Sequence, residues 1–175
     1  MKITFVDIHI HTSENPNELP ADYNIQELLK NMRVIAEEYP ILLSLTDHNT
    51  INKDAYLHLL KEDVSVILGV ELHIKKYEDA PPYHCHILLN IDITEENIDD
   101  INEKLDFLYP DKVVTDENEN TPNIEKIINT FDSYDFLLLP HGGQSHRTFN
   151  KATSKKTRFD TSMEQSIYHN HFDGF

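Results

Sequence analysis

Apolar residues along this chain come in short runs separated by longer amphipathic stretches. The runs at 3–11, 41–46, 64–74, 84–91 and 136–139 predict strands. The stretches 25–38, 52–61, 95–108 and 123–131 repeat their apolar positions near every 3.6 residues and predict helices. Strand alternating with helix predicts an α/β domain built on βα repetition and a largely parallel sheet. Pro40 suits the first position of the second strand, because proline has no N–H to give a ladder. The polar segments 77–82 (YEDAPP) and 116–122 (DENENTP) read as exposed loops, too short to link domains. Residues 1–175 are therefore expected to form one domain, too short for a complete eight-stranded barrel with its outer helices.

Polar residues enter this pattern at the ends of the strands. In Asp7-Ile8-His9-Ile10-His11-Thr12, alternation sends Asp7, His9 and His11 to one face and Ile8 and Ile10 to the other. Taken alone, such an H-x-H pair is more simply two half-exposed strand histidines. The same chemistry recurs at Thr46-Asp47-His48, Gly69-Val70-Glu71, His84-Cys85-His86 and Pro140-His141-Gly142-Gly143. In a parallel sheet all strand C-terminal ends lie on one side, so five such clusters converge. Histidines and carboxylates avoid the interior unless paired or ligated. The recurrence thus points to a multi-metal site with His9, His11, His48, Glu71, His86 and His141 as ligands.

The neighbouring polar residues read differently. Asp47 orients an imidazole or caps the helix starting near Ile51. Asp7 reads as structural, His84 as a buried hydrogen-bonded histidine, His73 as an exposed strand residue, and His58 as helix surface. Cys85 faces away from His84 and His86 as a small buried apolar residue.

In this order, DIHIHT, SLTDHNT, GVELH, HCHILL and LPHGG resemble the polymerase-and-histidinol-phosphatase (PHP) superfamily. The resemblance runs over most of the chain. It implies a distorted (β/α)7 barrel, here incomplete at the C-terminus, that binds two or three divalent metal ions. The implied activity is hydrolysis of phosphate esters through a hydroxide shared between metals, with nucleases among the family's members. His9, His11, His48, Glu71, His86 and His141 fall on the family's ligand positions. The stretch PHGGQSHRTF followed by DGF looks most like PHP domains fused to SMC- or AAA-type ATPases. The family's aspartate after the first H-x-H is replaced by Ser13-Glu14-Asn15-Pro16, and its late Asp-x-His motif does not occur before Phe175. Imidazole mixed with carboxylate suits Zn2+, Mn2+ or Fe2+ better than Mg2+. Arg147 is the candidate clamp for phosphoryl oxygens and His146 the candidate proton donor to the leaving oxygen; both also read as a solvated basic loop. Together with Asp47 they make up the expected catalytic group.

Composition narrows the partners. A formal net charge of −16 repels nucleic acid from most of the surface, so such a substrate would need basic surface from a partner or a longer chain. Cys85 is the only cysteine, which excludes an intrachain disulfide and argues against a thiolate zinc site. No apolar run approaches the ~20 residues that cross a bilayer, and the first residues lack a signal-peptide layout, so a cytoplasmic protein is expected. No Walker-type phosphate loop occurs, so an ATPase partner would lie elsewhere in a longer chain, of which this would be the N-terminal part. Two other readings stay open: a catalytically silent metal-binding module of such an ATPase, and a stand-alone small-molecule phosphatase of the histidinol-phosphatase type.

Overall fold

The computed structural model describes residues 3–75, 82–114, 121–141 and 173. In chain order the elements are β1 (Phe5–Ile10), α1 (Ile25–Ala36), β2 (Ile41–Leu45), α2 (Lys53–Leu59), β3 (Ser65–Val66), β4 (Leu68–Ile74), β5 (Tyr83–Leu89), α3 (Glu95–Leu108), α4 (Ile124–Thr130) and β6 (Phe136–Pro140). Each helix starts where the sequence offers a side-chain acceptor. Asn24, Asn52, Thr94 and Asn123 take hydrogen bonds from the N–H groups of Glu27, Ala55, Asn97 and Lys126, which would otherwise lack partners in the first turn.

The expected distorted (β/α)7 barrel does not form. The described strands make two three-stranded sheets, β1-β2-β3 and β4-β5-β6. The first is parallel, with Phe5 opposite Ile41 and Leu43 opposite Val66. The second is antiparallel throughout. The reason lies in the eight residues between Ile74 and Tyr83. A parallel crossover needs about ten to twelve residues or more, so β5 can only turn back along β4, and βα repetition stops there. The described residues form a small α/β domain with two sheets and no closed barrel.

The two sheets meet along a seam between β2 and β4. Ile67 N–H donates to Leu43 O at 2.9 Å, and further along Glu71 N–H donates to Asp47 O at 3.1 Å and Asn49 N–H to Glu71 O at 2.8 Å. These last two bonds form an isolated parallel bridge between His48 and Glu71. Between them, the fully buried Tyr56 hydroxyl from α2 stands in for ladder bonds. It accepts from Leu45 N–H at 3.0 Å and Gly69 N–H at 2.9 Å and donates to Leu45 O at 2.7 Å. Burial pushes its pKa well up, so it stays a neutral donor. Tyr56→Phe would strand these backbone groups in a dry interior and is expected to cost about 1–3 kcal/mol of stability. Urea unfolding checks this; a change below ~0.5 kcal/mol would show that the seam does not need the hydroxyl.

β4 is buried at all seven positions, and α2 and α3 cover the sheets through Ala55, Tyr56, Leu59, Ile98, Ile101 and Leu105. No described helix is long and apolar enough to cross a membrane.

Candidate metal centre

The antiparallel register of β4 and β5 sets the base of the site. Glu71 lies directly opposite His86 and His73 opposite His84, with Leu72 opposite Cys85 between them. Facing residues in such a pair stand about 5 Å apart at Cβ, and alternation puts Glu71, His73, His84 and His86 on one face. Cys85 goes to the other face, where burial pushes its thiol pKa well up. β6 adds His141, whose backbone N–H donates to His84 O at 2.9 Å just beyond the ladder.

β1 and β2 bring the remaining imidazoles. The β1–β2 register slips between Asp7 and Ile10, and His9 N–H donates to its own neighbour Asp7 Oδ1 at 3.2 Å. Asp7 therefore serves the backbone at this irregularity. His9 and His11 then bring their Nε2 atoms within 3.0 Å of each other. His48 arrives by the parallel bridge to Glu71. Asp47, 1% exposed, clamps the loop after His11. Its Oδ1 accepts from Thr12 N–H at 2.6 Å and Ser13 N–H at 3.0 Å, and its Oδ2 from Thr12 Oγ1 at 2.7 Å. Burial raises its pKa despite these donors. The cap of α2 is Asn52, which also donates to Thr12 Oγ1 at 2.8 Å.

Glu71, with no exposed surface, is the centre. Its Oε2 lies 3.1 Å from His9 Nε2, 3.0 Å from His11 Nε2 and 3.5 Å from His48 Nδ1. Its Oε1 lies 2.5 Å from His84 Nδ1 and 3.5 Å from His141 Nε2. His86 and His141 bring their Nε2 atoms to 3.2 Å. Burial alone would raise the Glu71 pKa, but hydrogen bonds with His11, His84 and His9 outweigh it and hold the carboxyl far below its usual range. Burial lowers His48 to about 4 and His86 to about 3, and lowers His141 too. For His11 burial also lowers the pKa, but the hydrogen bond and charge of Glu71 prevail and raise it.

This donor set fits divalent metal ions. Three groups bring one possible ligand atom per residue within 4.8 Å of one another: His9, Glu71, His86 and His141; His11, His48 and Glu71; and His48, His73 and His84. Two ligands about 2.1 Å from one ion at tetrahedral or octahedral angles stand about 2.9–3.4 Å apart, which is the spacing of the His86–His141 pair. Hydrogen bonding alone leaves the cluster unsatisfied. His11 Nδ1 and His84 Nε2 are buried with no hydrogen-bond partner, a costly state for polar nitrogens.

No family model matches the sequence, and no curated protein does. A solved structure does. It is the crystal structure of a "putative metal-dependent phosphoesterase" from Bifidobacterium adolescentis, with a TM-score of 0.51 and 13% identity, covering 98% of this chain and 76% of that one. At that identity the likeness shows a common fold.

His9, His11, His48, Glu71, His86 and His141, picked from the sequence, all meet in this cluster. His146 and Arg147 lie outside the described residues. Sequence reasoning set aside His84, which holds the shortest contact to Glu71, and His73, which is buried rather than exposed. Both share strand parity with a ligand candidate, and parity was the signal available.

Burial of neutral imidazoles also predicts a pH dependence. In chelator-treated protein His48 and His86 keep pKa values of about 4 and about 3, against 6.5 in an unfolded chain. Above pH 6.5 they are neutral in both states and contribute no slope. As pH falls below that, the unfolded chain takes up protons that the folded one refuses, and stability drops. The raised pKa values of His11 and Asp47 oppose this, against the lowered values of His48, His86 and His141. Urea unfolding with chelator is expected to show lower stability at pH 5 than at pH 7; equal or greater stability at pH 5 would contradict the buried neutral imidazoles.

Proposed function

We propose that this chain is a metal-dependent phosphoesterase of the PHP type. The observation that carries the reading is the buried Glu71 carboxylate facing five imidazoles within 3.5 Å. His9, Glu71, His86 and His141 would hold one ion, and His11, His48 and Glu71 a second, with the two carboxylate oxygens facing different imidazoles. Nitrogen donors mixed with one carboxylate favour Zn2+, Mn2+ or Fe2+. Divalent ions supply Lewis-acid polarisation of a phosphoryl oxygen and lower the pKa of a water toward neutrality. The chain's own contribution is rigid placement. The β4–β5 register fixes Glu71 and His86, and Asp47 ties the loop after His11 to the end of β2. Arg147 as the clamp on phosphoryl oxygens and His146 as proton donor to the leaving oxygen complete the proposed machinery. The net charge of −16 favours a small phosphate ester over nucleic acid. The fold shared with the Bifidobacterium chain supports the same activity class.

Elemental analysis paired with hydrolysis of bis-p-nitrophenyl phosphate in added Mn2+ tests this. Two or more ions per chain are expected, with turnover that falls by about a hundredfold or more in His9→Ala. At most one ion, or turnover indifferent to His9, would sink the proposal.

A further inference from the structure

We propose that the cavity beside the Glu71 cluster takes the leaving group of the substrate, and that Lys112 is its specificity-determining residue, selecting small phosphate esters whose alcohol carries a carboxylate. This rests on the phosphoesterase reading and names the substrate class within it. The cavity measures about 480 Å³, the size of a small-molecule pocket and too small to bury a polymer. It is lined by His48 and His84, which face Glu71 at 3.5 and 2.5 Å, so a phosphoryl group at the cluster has its alcohol beside this space. The rest of its lining comes from segments 14–16, after β1, and 112–114, after α3. Asn17 Nδ2 donates to Asp111 O at 3.2 Å and ties these two stretches of chain together.

The two residues that follow His48 hold Lys112 from both ends. Asn49, fully buried, donates from Nδ2 to Lys112 O at 2.7 Å, while its Oδ1 accepts from His73 N–H at 3.0 Å. At the other end, Lys112 Nζ donates to Oγ1 of the buried Thr50 at 3.3 Å. Asn49 and Lys112 both have φ 56°, a left-handed conformation that residues other than glycine keep only where their neighbours enforce it. The fold thus accepts strain at two positions to set one ammonium beside the cluster. A lysine kept only for its ion pair with Asp106, 3.2 Å away, needs none of this. The Asp106 side chain is 55% exposed, and so exposed a pair is weak enough to yield to an incoming anion.

Among the described residues that line the cavity, Lys112 is the only lysine or arginine, in a chain whose net charge is −16. One ammonium balances one unit of charge, which matches a carboxylate rather than a phosphate dianion. Glu14, also in the lining, is exposed, so solvent screens its charge. Pro16 and Val114 are buried and offer apolar cover to the carbon frame of the alcohol. In the hydrolysis, water adds to phosphorus, the P–O bond to the alcohol breaks and a proton goes to the leaving oxygen. Lys112 grips the carboxylate of that alcohol and stays outside the exchange.

The test compares kcat/KM for 3-phosphoglycerate with glycerol 3-phosphate, and for O-phosphoserine with O-phosphoethanolamine, in wild type and Lys112→Met with added Mn2+; only the first member of each pair carries a carboxylate. Wild type is expected to prefer the carboxylate ester in at least one pair by about tenfold or more, and Lys112→Met to lose that preference through a raised KM. In parallel, chelator-treated wild type labelled at lysine 13Cε is titrated with glycerate and with glycerol, and the Lys112 NMR signal is expected to move with glycerate alone. Turnover of bis-p-nitrophenyl phosphate with no carboxylate preference in either pair, or a preference that survives Lys112→Met, would overturn the proposal and leave the phosphoesterase reading standing. A Lys112 signal indifferent to glycerate would overturn it even if the variant failed to fold. No turnover of any ester by wild type would overturn both.

Discussion

Glu71→Gln is expected to release the ions and lower kcat/KM for phosphodiester hydrolysis by at least about a thousandfold, or roughly 4 kcal/mol of transition-state stabilisation. Among the described residues, Glu71 is the only carboxylate in the candidate ligand groups. Both of its oxygens face imidazoles, Oε2 those of His9, His11 and His48 and Oε1 those of His84 and His141. The glutamine amide fills the same volume, so the packing of β4 is preserved. It replaces one acceptor oxygen with an NH2 group pointing at imidazoles, or at the ions they would hold, and removes the central negative charge. Elemental analysis and turnover are read on the same preparation, with urea unfolding in chelator to show that the fold survives. A variant that kept its ions and stayed within tenfold of wild-type activity would show that the chemistry is centred elsewhere.

The cluster of candidate ligands was more legible in the sequence than the fold that assembles it. Histidines and a carboxylate at the ends of apolar runs are costly unless they have a purpose, so chemistry marks them even when topology is unknown. The helices were legible too. The predicted 95–108 coincides with α3, because its apolar period and the Thr94 cap agree. Strand direction was not, because a strand's local pattern is the same read parallel or antiparallel. The connection length carried that information: eight residues between Ile74 and Tyr83 permit a hairpin and forbid a crossover. The consequence reaches the site. His84 and His86 come from the beginning of β5, and they meet Glu71 because β5 runs backwards. His73 was misread for a different reason. Alternation gives a residue's face but not its cover, and β4 is buried at all seven positions, on both faces.

Gly69→Ala is expected to destabilise the protein by about 2–3 kcal/mol, which for a chain of this size lowers Tm by roughly 5–10 °C. A Cβ at Gly69 would collide with Ser44 Oγ, lie 2.8 Å from Leu88 Cδ2 and 3.2 Å from Thr46 Cγ2. Ser44 and Thr46 are fully buried and Ser44 Oγ is 3.2 Å from the Tyr56 hydroxyl, so neither side chain has free space to turn into. Relief must come from moving β2 away from β4. That is the seam through which Glu71 N–H reaches Asp47 O and Asn49 N–H reaches Glu71 O. Only Val70 separates Gly69 from Glu71, so opening the seam carries His48 away from Glu71. Gly69→Ala should therefore also weaken zinc binding at the position shared by His11, His48 and Glu71, measured as a raised dissociation constant in a competition titration with a chromogenic chelator. A variant with unchanged Tm and unchanged zinc affinity would mean that the close approach at residue 69 is not what holds the two halves of the site together.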